Sequence, residues 1–332
     1  MPKVSIIVPC YNEQSTIRLL LDAIQRQTYP LAEMEIVIAD GMSSDRTREE
    51  IAAFQIDNPD VRIRIVDNPQ RIIPAALNRA IDAATGEIIV RLDAHSVPET
   101  DYVARSVAGL EAGLGDNVGG VWEIRPGKRS WAAESIAAAA SHPLGVGDAL
   151  YRYATEAKEV DTVPFGAFRR SLLDGIGGFD ETLLTNEDYE FNTRIRQKGG
   201  KVWLDPQIRS VYFARETFGK LARQYFRYGY WKWRMLKRYP GTLRWRQAMP
   251  PVFVLSLAGL TILTIFWRPA GILLGLEVFL YGLALAAGTL PVAVQRKQVS
   301  LLAGMPLAIA VMHICWGTGF LVSILHPPAT SK

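Results

Sequence analysis

The last quarter of the chain is almost free of charge, and this constrains the fold more than any other feature. After Arg246, the chain of 332 residues has only five charged residues: Arg268, Glu277, Arg296, Lys297 and Lys332. Three apolar segments, at about 247–267, 270–294 and 299–325, are each long enough to cross about 30 Å of hydrocarbon. The sequence therefore predicts a soluble domain followed by a membrane domain, residues 247–332, with three transmembrane helices.

Basic residues at the ends of the apolar segments set the expected orientation. Arg246 precedes the first segment, and Arg296 and Lys297 fill the link between the second and the third. Positively charged flanks stay on the cytoplasmic side of a membrane. We therefore expect the soluble domain in the cytoplasm and Lys332 on the other side. Glu277 lies inside the second segment, where a carboxylate is costly in lipid, so it is expected to face another helix or a polar cavity.

The first 92 residues alternate between strand and helix patterns. Strands are predicted at Val4–Val8, Met34–Ala39, Val61–Val66 and Glu87–Leu92, and helices at Ser15–Gln27, Arg46–Phe54 and Pro74–Ala84. This order predicts a mainly parallel sheet with helices on both faces. A dinucleotide-binding oxidoreductase shares the order but needs glycines after its first strand. Here that turn is Pro9-Cys10-Tyr11-Asn12-Glu13, which argues against such an enzyme.

A basic and aromatic segment, residues 216–246, precedes the first apolar segment. Between Lys220 and Arg246 there are nine Lys and Arg residues and no acid. Such a mixture is compatible with nucleic-acid binding, since aromatic rings stack on bases and cations pair with phosphates. Its position favours instead an interfacial helix in the headgroup region of a membrane, so we expect no nucleic-acid partner.

Two polar residues, Asp93 and His95, follow the predicted strand Glu87–Leu92. Ligands of open α/β sheets bind beyond the carboxyl ends of the strands. Because residues i and i+2 of a strand share a face, the two side chains are expected to point the same way. Oxygen and imidazole nitrogen suit Mn²⁺ or Mg²⁺, so the pair is a candidate metal site. The alternative is a strand end whose polar residues are merely solvated, and these residues alone leave both open.

Six motifs, in order, resemble glycosyltransferase family 2, whose catalytic domain has the nucleotide-sugar-binding fold called GT-A. They are Val8-Pro9-Cys10-Tyr11-Asn12-Glu13, Asp40 to Thr47, Ala76-Leu77-Asn78 with Thr85-Gly86-Glu87, Asp93-Ala94-His95, Gly177-Gly178-Phe179-Asp180 and Asn186-Glu187-Asp188. The sequences of these motifs are similar to those of the succinoglycan-synthesis (ExoA-type) bacterial branch of the family. The resemblance covers about residues 2–230 and implies an α/β GT-A domain over residues 1–215.

The resemblance implies an inverting glycosyltransferase in a bacterial-type inner membrane. It would transfer a sugar, with glucose as the expected one, from a UDP-sugar to a lipid-linked saccharide during exopolysaccharide synthesis. A polyprenyl-phosphate sugar transferase or a processive polysaccharide synthase is the alternative among enzymes. An inactive scaffold that binds UDP-sugar is the alternative of another class, and a homo-oligomer is left open.

The resemblance also implies roles for single residues. Asp188 is the expected catalytic base, and Asp93 with His95 is expected to hold Mn²⁺ or Mg²⁺. Substrate or nucleotide contacts are expected from Pro9, Tyr11, Asn12, Glu13, Asp40, Asn78, Asp93, Glu187, Gln224, Arg227 and Tyr228. Among these, Tyr11 would stack on uracil and Asp40 would accept a hydrogen bond from the base. Gln224 to Tyr228 resembles the Gln-x-x-Arg-Trp motif of processive members, in which Arg227 would bind the diphosphate and Tyr228 the acceptor.

Two positions depart from the family pattern. Gly41 follows Asp40 where the family usually has a second acid, so this chain has no carboxylate at that position. His95 stands where the family typically has an aspartate. Because imidazole brings no negative charge, the metal is expected to bind weakly until the nucleotide diphosphate supplies its own oxygens.

Overall fold

The computed structural model describes residues 3–326, which divide into two compact units. The first unit comprises the chain up to Glu123 together with Tyr153–Tyr212. The second comprises Ile124–Arg152 and the chain from Phe213 onward. This division differs from the predicted soluble domain 1–215, because an internal segment of that range belongs to the C-terminal unit.

The first unit is built around a mixed sheet of nine strands. The strands are β1 Val4–Cys10, β2 Met34–Asp40, β3 Ile63–Asp67, β4 Ile88–Arg91, β5 Val97–Pro98, β6 Asn117–Pro126, β7 Lys158–Glu159, β8 Ala167–Arg169 and β9 Val202–Ala214. Their order is β3-β2-β1-β4-β8-β6-β9-β5, and β7 pairs with β9. The pairs among β1 to β4 are parallel, as predicted, whereas β8 pairs antiparallel with both β4 and β6.

The helices of the first unit are α1 Ile17–Gln25, α2 Thr47–Asp57, α3 Ile73–Ala83, α4 Tyr102–Glu111, α7 Leu172–Ile176 and α8 Glu187–Gln197. Those of the second unit are α5 Trp131–Ala140, α6 Pro143–Val146, α9 Phe218–Arg238, α10 Trp245–Leu263, α11 Arg268–Arg296 and α12 Leu301–Leu325. Short 3-10 turns lie at Leu31–Glu33 and Leu150–Arg152. Up to β4 every predicted element is confirmed, with ends that differ by at most three residues.

The central strands are continuous apolar runs because both faces of the sheet are covered. Ile6, Ile36 and Val90 are at most 1% exposed and belong to one core cluster. The register sets Cys10 opposite Asp40, so β1 and β2 end side by side. Loops that begin at these two strand ends are therefore neighbours.

The Thr85-Gly86 part of the resemblance lies at the opposite edge of the sheet, where β4 begins. Buried Glu35 accepts hydrogen bonds from the Ser5 hydroxyl (2.6 Å) and from the Thr85 hydroxyl (2.7 Å). Burial alone would raise the pKa of Glu35, but bonds from Ser5 and Thr85 outweigh it and lower the pKa. The Gly86 amide donates to the Ser5 hydroxyl at 2.8 Å. This motif therefore closes the sheet edge and has a structural role.

In the second unit α9 and α12 pack backbone to backbone. A Cβ atom on Gly229 of α9 would overlap the carbonyl oxygen of Trp316, and one on Gly319 of α12 would overlap that of Phe226. Small residues allow such close approach between helices. The basic segment 216–246 therefore contains a helix that is packed along an apolar one.

Three helices, α10, α11 and α12, are long and apolar enough to cross a membrane. Glu277 is paired with a neighbouring helix, as the sequence predicts, since it accepts a hydrogen bond from Ser256 of α10 at 2.9 Å. Tyr281 and His313 are 2.9 Å apart, and His313 also lies 2.9 Å from the Leu144 carbonyl oxygen. These helices indicate membrane association.

Replacing Gly86 by alanine tests the packing at the sheet edge. A Cβ atom there would lie 2.7 Å from the Ser5 amide nitrogen, whereas one on Gly175 meets nothing within 4 Å. We expect Gly86→Ala to cost on the order of 2 kcal/mol through overpacking. This lowers the Tm of the detergent-solubilised protein by about 4 °C or more. Gly175→Ala is the matched control, expected to change the Tm by less than about 2 °C; equal shifts would contradict the packing argument.

Candidate active site

The loops that follow β1 and β2 are joined by hydrogen bonds. Asn12 has a left-handed backbone (φ 55°), its amide donates to the Ser43 hydroxyl at 2.9 Å, and its side-chain oxygen accepts from the Ser44 amide at 2.9 Å. The Glu13 amide donates to the Thr47 hydroxyl at 2.7 Å. The two motifs therefore form one structural body at the carboxyl edge of the sheet.

Tyr11 presents its ring at this edge and is 44% exposed. The Arg71 guanidinium lies 5.7 Å from the centre of the ring. Gly41 lies against the ring, since a Cβ atom there would be 3.0 Å from the Tyr11 Cδ2 atom. This explains the first departure from the family pattern: a side chain at position 41 would press on Tyr11. The exposed ring is suited to stacking on a nucleobase.

Asp40 is completely buried, at 0% exposure. Its carboxylate accepts hydrogen bonds from the Ser43 amide (3.1 Å) and the Arg48 Nε (2.6 Å). Arg48 extends from Asp40 to Asp67, which its other nitrogen reaches at 2.5 Å. In this conformation Asp40 does not reach the surface; it orders the loop and holds Arg48, and its contact with the base stays a prediction.

The side-chain amide of Asn78 forms hydrogen bonds within the protein. Its amide nitrogen donates to the Phe179 carbonyl oxygen and to Glu181, both at 2.9 Å, and its oxygen accepts from the Phe179 amide at 2.7 Å. A Cβ atom on Gly178 would lie 2.6 Å from the same oxygen. Asn78 therefore positions the Gly178-Phe179 loop, and its contact with the nucleotide stays a prediction.

A buried guanidinium, that of Arg91 at the end of β4, is the centre of the site. Its side chain is 2% exposed and pairs with Asp93 (3.1 Å), Glu187 (3.1 Å) and Asp188. Sequence reasoning missed Arg91, which lies inside an apolar strand. The sequence did contain a signal: a charged residue within an apolar strand. An arginine in an apolar strand is buried and needs carboxylate partners.

Asp188 and Glu187 open α8, and the Phe165 amide donates to Asp188 at 3.4 Å. Phe165 has a left-handed backbone (φ 62°), which turns its amide into the site. Burial raises the pKa of Asp188 to about 7; the pairing with Arg91 opposes this rise, and the negative charges of Glu187 and Asp93 add to it. A carboxyl group with a pKa near neutrality is suited to accept a proton.

Asp93 and His95 lie in a turn after β4 has ended, so strand alternation does not set their directions. The Asp93 carbonyl oxygen accepts from the Ser96 amide at 2.9 Å and from its hydroxyl at 2.7 Å. Nδ1 of His95 lies 3.0 Å from a Glu13 carboxylate oxygen. Residues 3–326 contain no group of three or more His, Cys, Asp and Glu side chains that could hold a metal.

The donor chemistry nevertheless fits a divalent cation that arrives with its nucleotide. Asp93 offers a carboxylate, and His95 offers an imidazole whose Nδ1 already contacts a carboxylate, the usual arrangement behind a ligating histidine. Two protein ligands leave coordination positions for diphosphate oxygens and water. Asp93 and His95 therefore stay the candidate ligands.

The residues that resemble the Gln-x-x-Arg-Trp motif lie on α9, in the second unit. Gln224 donates to the Tyr228 hydroxyl at 2.8 Å, and Arg227 is exposed. Pro9 ends the apolar part of β1 beside Ala39 of β2. The roles of these four residues stay predictions.

Comparison with known proteins shows the family of the chain. The family model described as "Glycosyl transferase family 2" matches residues 5–177, more than half of the chain. The chain belongs to glycosyltransferase family 2. Its mixed sheet is GT-A-like, as the sequence predicted. The succinoglycan biosynthesis protein ExoA of Rhizobium meliloti (strain 1021) is 30% identical over 95% of this chain and 93% of its own length.

Two further similarities extend over almost the whole chain. A Methanococcus voltae protein is 26% identical over 99% of both chains. Its name is dolichyl N-acetyl-alpha-D-glucosaminyl phosphate 3-beta-D-2,3-diacetamido-2,3-dideoxy-beta-D-glucuronosyltransferase. The mannosyltransferase PcManGT from Pyrobaculum calidifontis, solved with GDP-Man and Mn²⁺, superposes with a TM-score of 0.65 at 24% identity. This superposition covers 94% of this chain and 87% of that one, and it shows the shared fold.

Asp188→Asn tests the base of this family 2 site. We expect UDP binding to stay within a few-fold, and turnover to fall at least about a hundredfold because the proton acceptor is lost. In the wild type, kcat is expected to fall as the pH drops below about 7, where Asp188 becomes protonated. Glu187→Gln is the matched control and should lose less activity. Full turnover by Asp188→Asn would move the role to another group.

Proposed function

We propose that the protein is an inverting glycosyltransferase that transfers a sugar from a UDP-sugar, with glucose as the expected sugar, to a lipid-linked saccharide at the cytoplasmic face of an inner membrane. The observation that carries the proposal is the Arg91 cluster. One buried guanidinium pairs with both the expected base, Asp188, and the expected metal ligand, Asp93. The family membership and the three apolar helices support the same function.

Asp188 would act on the acceptor side of the reaction. Its carboxylate takes the proton of the acceptor hydroxyl while the oxygen forms its bond to the anomeric carbon. The bond between that carbon and the diphosphate breaks in the same step, and its electron pair stays on the diphosphate. A single displacement inverts the anomeric centre, so one base is sufficient. Arg91 fixes the direction of this base through a charge-assisted hydrogen bond.

The donor side would be bound by residues of the two joined loops and of the turn after β4. Tyr11 would stack on the base, and the loops fixed by Asn12 and Asp40 would hold the ring in place. Asp93 and His95 would hold Mn²⁺ or Mg²⁺, which supplies Lewis-acid stabilisation to the leaving diphosphate. The presence of Mn²⁺ and GDP-Man in the Pyrobaculum structure supports a metal and a nucleotide-sugar donor.

The names of the relatives support a lipid-linked acceptor. The Methanococcus voltae protein is named for a dolichyl-linked sugar phosphate. A Campylobacter jejuni protein, 31% identical over 28% of this chain, is named a GalNAc(5)-diNAcBac-PP-undecaprenol beta-1,3-glucosyltransferase. An acceptor of this kind would remain in the bilayer, which agrees with an enzyme that has three apolar helices.

The decisive experiment is turnover by the purified full-length protein in lipid nanodiscs. Membrane lipid extract supplies the acceptor, and UDP-glucose, UDP-GlcNAc and GDP-mannose are offered separately with Mn²⁺. We expect release of UDP from one UDP-sugar, a heavier lipid-linked product in mass spectra, and loss of both with EDTA or Asp188→Asn. Binding of UDP without consumption of any donor would favour the inactive scaffold. Transfer to a simple polyprenyl phosphate would favour the alternative transferase.

Substitution of His95 tests the proposed metal site. We expect His95→Ala to weaken Mn²⁺ binding to the UDP-bound protein by roughly ten- to a hundredfold, since the loss of a supporting contact alone reaches that range. His95→Asp restores a carboxylate pair and should preserve or tighten binding. Calorimetric titration of Mn²⁺ measures both variants. An alanine variant that binds like the wild type would leave Asp93 as the one proposed protein ligand.

A further inference from the structure

Glu13 has both carboxylate oxygens engaged inside the protein. One oxygen lies 3.0 Å from Nδ1 of His95, and the other accepts a hydrogen bond from the Thr16 hydroxyl. The Glu13 side chain is 23% exposed and that of His95 is 36% exposed. These contacts use the carboxylate that the family resemblance assigns to the substrate.

The position of Glu13 is fixed through its backbone. Its amide donates to the Thr47 hydroxyl at 2.7 Å, and its carbonyl oxygen accepts from the Thr16 and Ile17 amides at 3.0 and 2.9 Å, where α1 begins. Thr47 is itself held by Asp45, 2.5 Å from its hydroxyl. The carboxylate therefore stands on a rigid loop, and His95 stands on the turn that Ser96 closes.

A carboxylate at Nδ1 has a specific effect on an imidazole. It accepts the Nδ1 proton, which fixes the tautomer whose lone pair is on Nε2, and its charge makes the ring a better ligand. We propose that Glu13 is a positioning residue that orients His95 toward the divalent cation, and that it does not contact the nucleobase. This inference rests on the metal site of the proposed function.

The arrangement also accounts for the second departure from the family pattern. Histidine in place of aspartate removes one negative charge from the metal ligands. The Glu13 carboxylate places a negative charge next to the imidazole, at hydrogen-bond distance from Nδ1. The pair Glu13 and His95 thus supplies both the donor atom and the charge that one aspartate supplies elsewhere in the family.

The test is a double-mutant cycle on Mn²⁺ affinity, measured by electron paramagnetic resonance in the full-length, UDP-bound protein. We expect Glu13→Gln to weaken Mn²⁺ binding about tenfold, and metal-free UDP affinity to stay within about twofold. In the His95→Asp background the same substitution should change Mn²⁺ affinity less than about twofold, because aspartate needs no tautomer. Glu49→Gln, which removes an exposed carboxylate of α2, is the charge control and should leave both affinities unchanged.

The readouts separate this inference from the proposed function. Wild-type protein that binds UDP but no Mn²⁺ would overturn the metal site and this inference together. One combination of results would overturn the inference and leave the metal site intact. In it, Mn²⁺ bound to the wild-type protein shows nitrogen spin coupling that His95→Asp removes, and Glu13→Gln binds Mn²⁺ with unchanged affinity. A fall in metal-free UDP affinity in Glu13→Gln would return the residue to the nucleobase, and equal losses in both backgrounds would show a merely structural role.

Discussion

The site depends on one buried charge, the guanidinium of Arg91. A cation in a strand core is stable only with partners, and Arg91 has three carboxylates within bonding distance. Asp93 follows the same strand, whereas Asp188 lies 97 residues away along the chain. The need to neutralise Arg91 therefore brings β4 and the start of α8 together. Burial is the main cause of the raised pKa of Asp188, and the negative charges of Glu187 and Asp93, which share the same cation, add to it.

The parallel half of the sheet could be predicted because its strands are continuous apolar runs with helices between them. In the antiparallel half, β5, β7 and β8 have only two or three residues and carry no period of their own, and no strand was predicted at the longer β6 and β9. The Ala-rich helix α5 was missed for a similar reason: small residues on all sides show no amphipathic pattern. Its partners lie far along the chain, where no local pattern can indicate them.

At the site, the motifs predicted which residues lie together and not which way each one faces. Tyr11 follows β1 and Asp40 ends β2, at the same edge of the sheet, but the Tyr11 ring is exposed whereas the Asp40 carboxylate is completely buried. Asn78 has its hydrogen bonds to the backbone of Phe179, 101 residues away, a contact that only the folded chain reveals. The glycine at position 41 is explained by the Tyr11 ring, which a side chain at that position would crowd. Side-chain direction depends on such long-range packing, and a motif does not contain it.

The division of the chain into units has a consequence for its synthesis. Residues 124–152 belong with the helices that follow Phe213, so the chain leaves the first unit and returns to it before the second unit is complete. Glu134 accepts a hydrogen bond from Gln298, a residue that is synthesised 164 residues after Glu134. At 5–20 residues per second a ribosome needs roughly 10–30 s to cover that distance. During this interval α5 has been synthesised but α12 has not. In a protein shortened at residue 246, α5 would lack this packing partner permanently.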